Sequence, residues 1–108
     1  MRAPLAHELP LIEFLFELAA LPLPNTMVVQ SMKDGGMGSL AFGSPFDADR
    51  RFGSSPAGCH FRDRDGVIVS AVLHLDEQGA PYEVDVWKVD FSPLLQWPAR
   101  ADLIAGPA

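Results

Sequence analysis

The sequence predicts an α+β domain in which one N-terminal helix packs on an antiparallel meander sheet of four to five strands. Three observations favour this fold: an apolar stripe with helical spacing near the N-terminus, period-two apolar alternation between residues 67 and 91, and turn signals rich in glycine and aspartate. The chain has 108 residues, a length that predicts one domain over residues 1–108.

The helix is predicted to run from Glu8 to Ala20. Its core side is marked by Leu11 and Leu15, which are four residues apart and therefore share one face. Pro10 is compatible with this helix only in the first turn, where its missing N–H is not needed. The proline-rich run 21–25 ends the helix and leads into extended chain.

The rest of the chain is predicted to form strands. The predicted strands are residues 26–32, 37–42, 57–62, 67–75 and 82–91. The first two form a hairpin around Lys33–Gly36, a turn in which Gly35 or Gly36 needs a positive φ. Residues 43–56 are predicted to be a loop that can include a short strand around Arg51-Phe52. The end of the tail Pro98–Ala108 is expected to fray.

The last predicted strand carries two apolar sets of opposite parity. One set is Tyr82, Val84 and Val86, and the other is Trp87, Val89 and Phe91. A regular strand cannot place both sets on one face. The favoured explanation is a β-bulge at Val86-Trp87 that resets the register; the alternative is that both faces of the strand are covered. Trp87 and Phe91 are expected to fill the core, although Trp87 also suits an exposed interface anchor.

The net charge of the chain limits the classes of partner that we expect. The net charge of −6 disfavours nucleic acid and anionic membranes but is compatible with a basic protein.

Charged residues and prolines interrupt the apolar run 9–23, so it resembles neither a signal peptide nor a membrane span. We therefore expect a cytoplasmic protein. The single cysteine, Cys59, is expected to be a small buried apolar residue.

No cofactor or metal is predicted. Gly36–Ala41 has the form of a dinucleotide fingerprint, but the residues that follow cannot form the helix that such a site requires. The three histidines lack the spacing of zinc ligands, and no serine nucleophile elbow or triad is recognisable.

Acidic residues around the last strand have two alternative uses. In an enzyme, a divalent metal would be held by the cluster Asp76, Glu83, Asp85 and Asp90. A regular strand disfavours this enzyme hypothesis, because it directs Asp85 and Lys88 to opposite faces. In a binding protein, the carboxylates would attract a basic partner around an apolar anchor. The candidate protein-binding residues are Asp34, Met37, Glu83, Asp85, Trp87, Lys88 and Asp90.

Four segments resemble a family of small bacterial proteins of unknown function. They are residues 32–40 (MKDGGMGSL), 50–53 (RRFG), 63–67 (DRDGV) and 83–94 (EVDVWKVDFSPL). The resemblance covers nearly the whole chain, from the N-terminal helix to Trp97-Pro98, and the WKVDFSP run is its most specific part. It implies a self-contained bacterial domain and assigns no activity.

The function predicted from these observations is a protein-binding module rather than an enzyme. Its most concrete form is an immunity-type antitoxin that neutralises a basic toxin, because the chain is small, acidic and without recognisable catalytic groups. Two alternatives stay open: a metal-dependent enzyme using the acidic cluster, and a structural homo-oligomer that pairs through an exposed sheet edge or face.

Overall fold

A computed structural model describes residues 2–43 and 50–107. One N-terminal helix packs on a six-strand antiparallel sheet, so the predicted α+β class is confirmed, with six strands rather than four to five. The elements are α1 (Leu9–Leu18), β1 (Val29–Ser31), β2 (Leu40–Phe42), β3 (Phe52–Arg62), β4 (Ile68–Asp76), β5 (Pro81–Lys88), a 3-10 turn (Arg100–Asp102) and β6 (Ile104–Ala105). The described residues contain no helix with the length and hydropathy of a membrane span.

The strand order is β1-β2-β5-β4-β3-β6. β3, β4 and β5 form a meander, but the β1–β2 hairpin joins the sheet beside β5 rather than beside β3. The sixth strand comes from the tail that was expected to fray: Ala105 pairs with Cys59, and the Gly106 N–H donates to the Gly58 carbonyl at 2.8 Å. A two-residue strand carries no periodic signal, so its partner alone identifies it.

The helix is shorter than predicted and lies over the core. It ends at Leu18, and Ala20 adopts a left-handed conformation with φ of 56°. Pro10 lies in the first turn, as expected. Glu8 directly precedes the helix and is buried. Its carboxylate accepts hydrogen bonds from the two terminal guanidinium nitrogens of Arg2, at 2.7 and 2.9 Å.

The core lies between α1 and one face of the sheet. Buried residues on that side are Leu11, Ile12, Leu15, Phe16, Cys59, Phe61, Val69, Ala71, Leu73, Val84 and Val86. Cys59 is buried as predicted, and burial raises the pKa of its thiol to about 11. The alternate residues point to the other side of the sheet, which we call the open face. The open face carries Gly58, His60, Ser70, Val72, His74, Glu83, Asp85 and Trp87.

The predicted bulge at Val86-Trp87 is wrong. Ala71, Ser70 and Val69 pair in unbroken register with Val86, Trp87 and Lys88. Lys88 follows Val84 and Val86 on the core side, so Trp87 must lie on the open face. The expectation that Phe91 fills the core is also wrong, because Phe91 lies beyond the end of β5 and is 74% exposed.

The sheet is irregular at the start of β3 instead. The pairing of β3 with β4 shifts between Phe52 and Ser54 and again between Ser54 and Ala57. The predicted loop 43–56 therefore ends in strand, because bulges admit the glycine, serine and proline residues that weaken a strand prediction. Residues 44–49 of that loop lie outside the described residues.

We predict that Gly53→Ala is strongly destabilising. A Cβ at Gly53 would lie 2.3 Å from the carbonyl oxygen of Asp76, a backbone atom that cannot move without disturbing β4. The free energy of unfolding should fall by about 1–3 kcal/mol in urea denaturation. Gly58→Ala is the matched control on the same strand, because its Cβ would meet nothing closer than 3.6 Å. Equal effects of the two substitutions would contradict the close approach of β3 to β4.

Candidate functional site

A buried lysine occupies one end of the core. Lys88 is fully buried, and its Nζ lies 2.7 Å from Asp65 Oδ2 and 2.9 Å from Asp63 Oδ2. The Asp63 side chain is also fully buried, whereas the Asp65 side chain is 36% exposed. An unpaired ammonium at this position would be very unfavourable, so the two carboxylates are what allow a lysine in the core.

Asp63 connects three segments of the chain. Its carboxylate accepts the backbone N–H groups of Arg64, Leu95 and Gln96 at 2.7, 2.9 and 3.0 Å, in addition to the Lys88 ammonium. Burial opposes the charge on Asp63, but the N–H of Leu95 and the ammonium of Lys88 outweigh it and hold the pKa of Asp63 below its usual range. The opposite balance raises the pKa of Lys88: burial lowers it, and the hydrogen bonds to Asp65 and Asp63 more than compensate.

Three of the four segments that carry the sequence resemblance meet around this ion pair. Lys88 comes from the 83–94 segment, and Asp63 and Asp65 come from the 63–67 segment. The 32–40 segment joins them through Met37, whose Sδ lies 3.4 Å from the Lys88 N–H. The backbone N–H of Leu94 donates to the Gly36 carbonyl at 3.0 Å. These contacts of Lys88, Asp63, Asp65 and Met37 build one structural junction, which we call the lysine junction.

Four of the predicted binding residues shape turns or the junction. Asp34 accepts the N–H groups of Met37 and Ser39 at 3.1 and 2.8 Å, and Asp90 accepts the N–H and hydroxyl of Ser92 at 3.0 and 2.6 Å. Met37 itself is half-buried against the junction. Lys88 faces the core and is not accessible to a partner.

The predicted acidic cluster is not gathered around one point. Asp76 pairs with Arg50 at 3.0 Å and accepts two backbone N–H groups in the β4–β5 turn, while Asp90 is engaged in its own turn. Only Glu83 and Asp85 share the open face. Among residues 2–43 and 50–107, no group of three His, Cys, Asp or Glu side chains could hold a metal ion.

The open face brings together Trp87, Glu83 and Asp85, all from β5. Beside Trp87 is a shallow apolar groove of about 260 Å³, lined in part by Pro56, Gly58 and Val72. Gly58 pairs with Val72, so the absence of a side chain at Gly58 opens the space beside the Val72 and Trp87 side chains. The groove is large enough to receive one side chain of a partner.

A polar row crosses the open face at the other end of β5. His74 Nδ1 lies 2.7 Å from Ser55 Oγ, and His74 Nε2 lies 3.8 Å from Asp85 Oδ2. Phe52 packs edge-on against the imidazole, with ring centroids 5.3 Å apart. The Asp85 oxygen is beyond hydrogen-bond distance, so the row lacks the short carboxylate–imidazole contact of a hydrolase triad. Burial raises the pKa of the neighbouring Glu83.

The sequence interpretation missed Asp63, Asp65 and Ser55. A signal for the buried ion pair was available, because Val84, Val86 and Lys88 share one parity and the first two predict a core side. Ser55 could not have been assigned, because it lies in the irregular part of the β3–β4 pairing, between Ser54 and Ala57, and such an irregularity has no apolar signature.

Comparison with known proteins identifies a family but no activity. A family model described as a domain of unknown function, DUF6984, matches residues 1–98. The matched range includes α1 and β1 to β5 and ends before β6. Neither the curated proteins nor the solved structures contained a match to this chain.

We predict that Asp63→Ala lowers the free energy of unfolding by about 3–5 kcal/mol, because a buried ammonium loses one partner and three N–H groups lose their acceptor. Urea denaturation at neutral pH measures the change. Asp65→Asn is the matched control and should cost less, since the Asp65 side chain is partly exposed. A fall below about 1 kcal/mol for Asp63→Ala, the value typical of a surface pair, would contradict this role.

We also predict acid-sensitive stability that depends on Asp63. The pKa of Asp63 is lower in the fold than its ordinary value, so its contribution is present above the unfolded pKa of about 3.9 and is lost as the pH falls through the folded value. The free energy of unfolding should be nearly constant from about pH 7 to 5 and should fall below about pH 4. Asp63→Ala should show a shallower fall in the same urea titrations, and parallel curves for the two proteins would refute the assignment.

Proposed function

The chain belongs to the DUF6984 family, and we propose that this member is a protein-binding module that docks a basic partner on the open face of its sheet. The family description assigns no activity, so the support comes from this chain. One observation carries the proposal: Trp87, an apolar side chain at the end of β5, lies on the face of the sheet away from the core.

An apolar side chain on that face is unusual for an antiparallel sheet with one helix layer. Such sheets normally bury one face and present polar residues on the other. Here Trp87 is followed two residues later by Val89, which is 53% exposed and whose N–H donates to the Ile68 carbonyl at 3.0 Å. Val72 adds a second apolar side chain beside the groove. Trp87 and Val72 are half-buried and Val89 is exposed, and apolar side chains that stay partly accessible beside a groove are typical of interaction sites.

Charge selects the kind of partner. Glu83 and Asp85 lie on the same strand and face as Trp87, and the whole chain carries a net charge of −6. A partner with lysine or arginine beside an apolar side chain would gain both electrostatic steering and an apolar contact. A second copy of this chain would bring the same carboxylates and would be repelled.

The biological form we propose is an immunity-type antitoxin acting in the bacterial cytoplasm. A basic toxin such as a nuclease offers the complementary charge, and carboxylates on a rigid sheet can cover a cationic active site. A metal-dependent enzyme has less support, because Asp76 and Asp90 are engaged in separate turns.

A random-peptide display library selected on the purified chain tests this function. We expect enriched peptides to combine lysine or arginine with a large apolar residue. Trp87→Ala should raise their Kd at least about tenfold, as for an interface hot spot, and the double variant Glu83→Gln/Asp85→Asn should weaken binding and reduce its salt dependence. Calorimetry with synthetic copies of the peptides measures both effects.

Two further variants complete that experiment: one is a control on α1 and the other is a second test at the groove. Glu13→Gln removes one carboxylate from α1, on the opposite side of the sheet, and should leave affinity unchanged. Gly58→Ala narrows the groove without a close contact and should weaken binding while leaving the fold intact. Enrichment of acidic peptides, or affinity indifferent to Trp87→Ala, would contradict the proposal. A dimer in sedimentation that Trp87→Ala abolishes would instead support the homo-oligomer.

A further inference from the structure

We infer that Phe91 is the preformed anchor of this docking surface, the residue against which an apolar side chain of the basic partner packs. The inference rests on the function proposed above and adds a residue that the open face itself does not contain. Its basis is the unusual state of Phe91, which combines a strained backbone with the greatest exposure of any large apolar residue among those described.

Phe91 holds a conformation that favours other residues. Its φ is 62°, a left-handed value that only Ala20 shares among the described non-glycine residues. Glycine adopts this conformation freely and asparagine tolerates it, whereas an aromatic residue is strained there. The side chain receives little packing in return, since it is 74% exposed. Strain retained without a stabilising contact points to a use outside the fold.

The turn that presents Phe91 is rigid. The Phe91 N–H donates to the Lys88 carbonyl at 2.8 Å, and Asp90 Oδ1 accepts the Ser92 N–H at 3.0 Å. Lys88 is in turn fixed by the lysine junction, with carboxylate contacts at 2.7 and 2.9 Å. The backbone that presents the Phe91 side chain is therefore held before binding, so a partner does not lose affinity to the cost of ordering this turn.

Phe91 lies close in the chain to the apolar residues already described. It stands in the turn that directly follows β5, where its N–H donates to the Lys88 carbonyl, so it is within a few residues of Trp87 and of the exposed Val89 at the same end of the strand. The carboxylate of Asp90 lies next to Phe91 in the chain. The occupant is therefore a protein segment in which lysine or arginine flanks a large apolar residue, the same chemistry that Glu83 and Asp85 select.

Phe91→Gly separates the two roles of this residue in one experiment. Removal of the strain should raise the Tm by about 2–5 °C, since about 1 kcal/mol corresponds to several degrees in a domain of this size. The Kd for synthetic peptides selected on the wild-type chain should rise at least about tenfold, as expected for an aromatic hot spot. Phe91→Asn is the second variant and should give the same pair of effects, because asparagine also accepts a positive φ.

Ala20→Gly is the matched control. It relieves the same kind of strain at the C-terminal end of α1, away from β5, so it should raise the Tm and leave peptide affinity unchanged. Peptides that bind the wild type and lose affinity with Trp87→Ala but not with Phe91→Gly would overturn this inference alone. The absence of any bound peptide would overturn the docking surface with it. A lower Tm for Phe91→Gly would make Phe91 a structural residue, and a dimer that dissociates in this variant would make a second copy the occupant.

Discussion

The lysine junction ties the end of β5 to the β3–β4 turn and to the chain that follows β5. A buried ammonium is tolerated only where carboxylates neutralise it, and Lys88 meets this condition through Asp63 and Asp65 from the β3–β4 turn. Asp63 also accepts the N–H groups of Leu95 and Gln96, so the chain beyond β5 must return to the same point. One charge requirement thereby brings together segments that are distant in sequence.

The same lysine explains the outer surface of the sheet. Because Lys88 takes the core-side position after Val84 and Val86, strand alternation directs Trp87 and Val89 away from the helix. The apolar surface proposed for docking and the buried ion pair are thus two consequences of one register. The junction also holds the turn after β5, which carries the exposed apolar residues Val89 and Phe91.

The five acidic residues that the sequence analysis proposed for binding a partner or a metal divide into two groups with different physical roles. Asp34, Asp76 and Asp90 accept backbone N–H groups in turns, and these bonds help hold the pKa of each below its usual range. Glu83 and Asp85 lie on the open face instead, without backbone N–H partners among the described contacts. The hydrogen-bonded carboxylates keep their charge and contribute to the net charge of −6, whereas Glu83 and Asp85 are the carboxylates to which the docking proposal assigns selectivity on the open face.

Local signals in the amino-acid sequence were sufficient to predict several elements. The stripe containing Leu11 and Leu15 predicted the helix, period-two alternation predicted β4 and β5, and the Gly35-Gly36 turn predicted the first hairpin. The strand order, the addition of β6 and the position of Phe91 outside the core have no local signal, because they depend on packing between distant segments. Tertiary structure also decided which carboxylates Lys88 would meet, because Asp63 and Asp65 precede it by more than twenty residues. Periodicity reports which face a side chain takes, whereas a charge pair between strands depends on register, and register is set only when the strands pack.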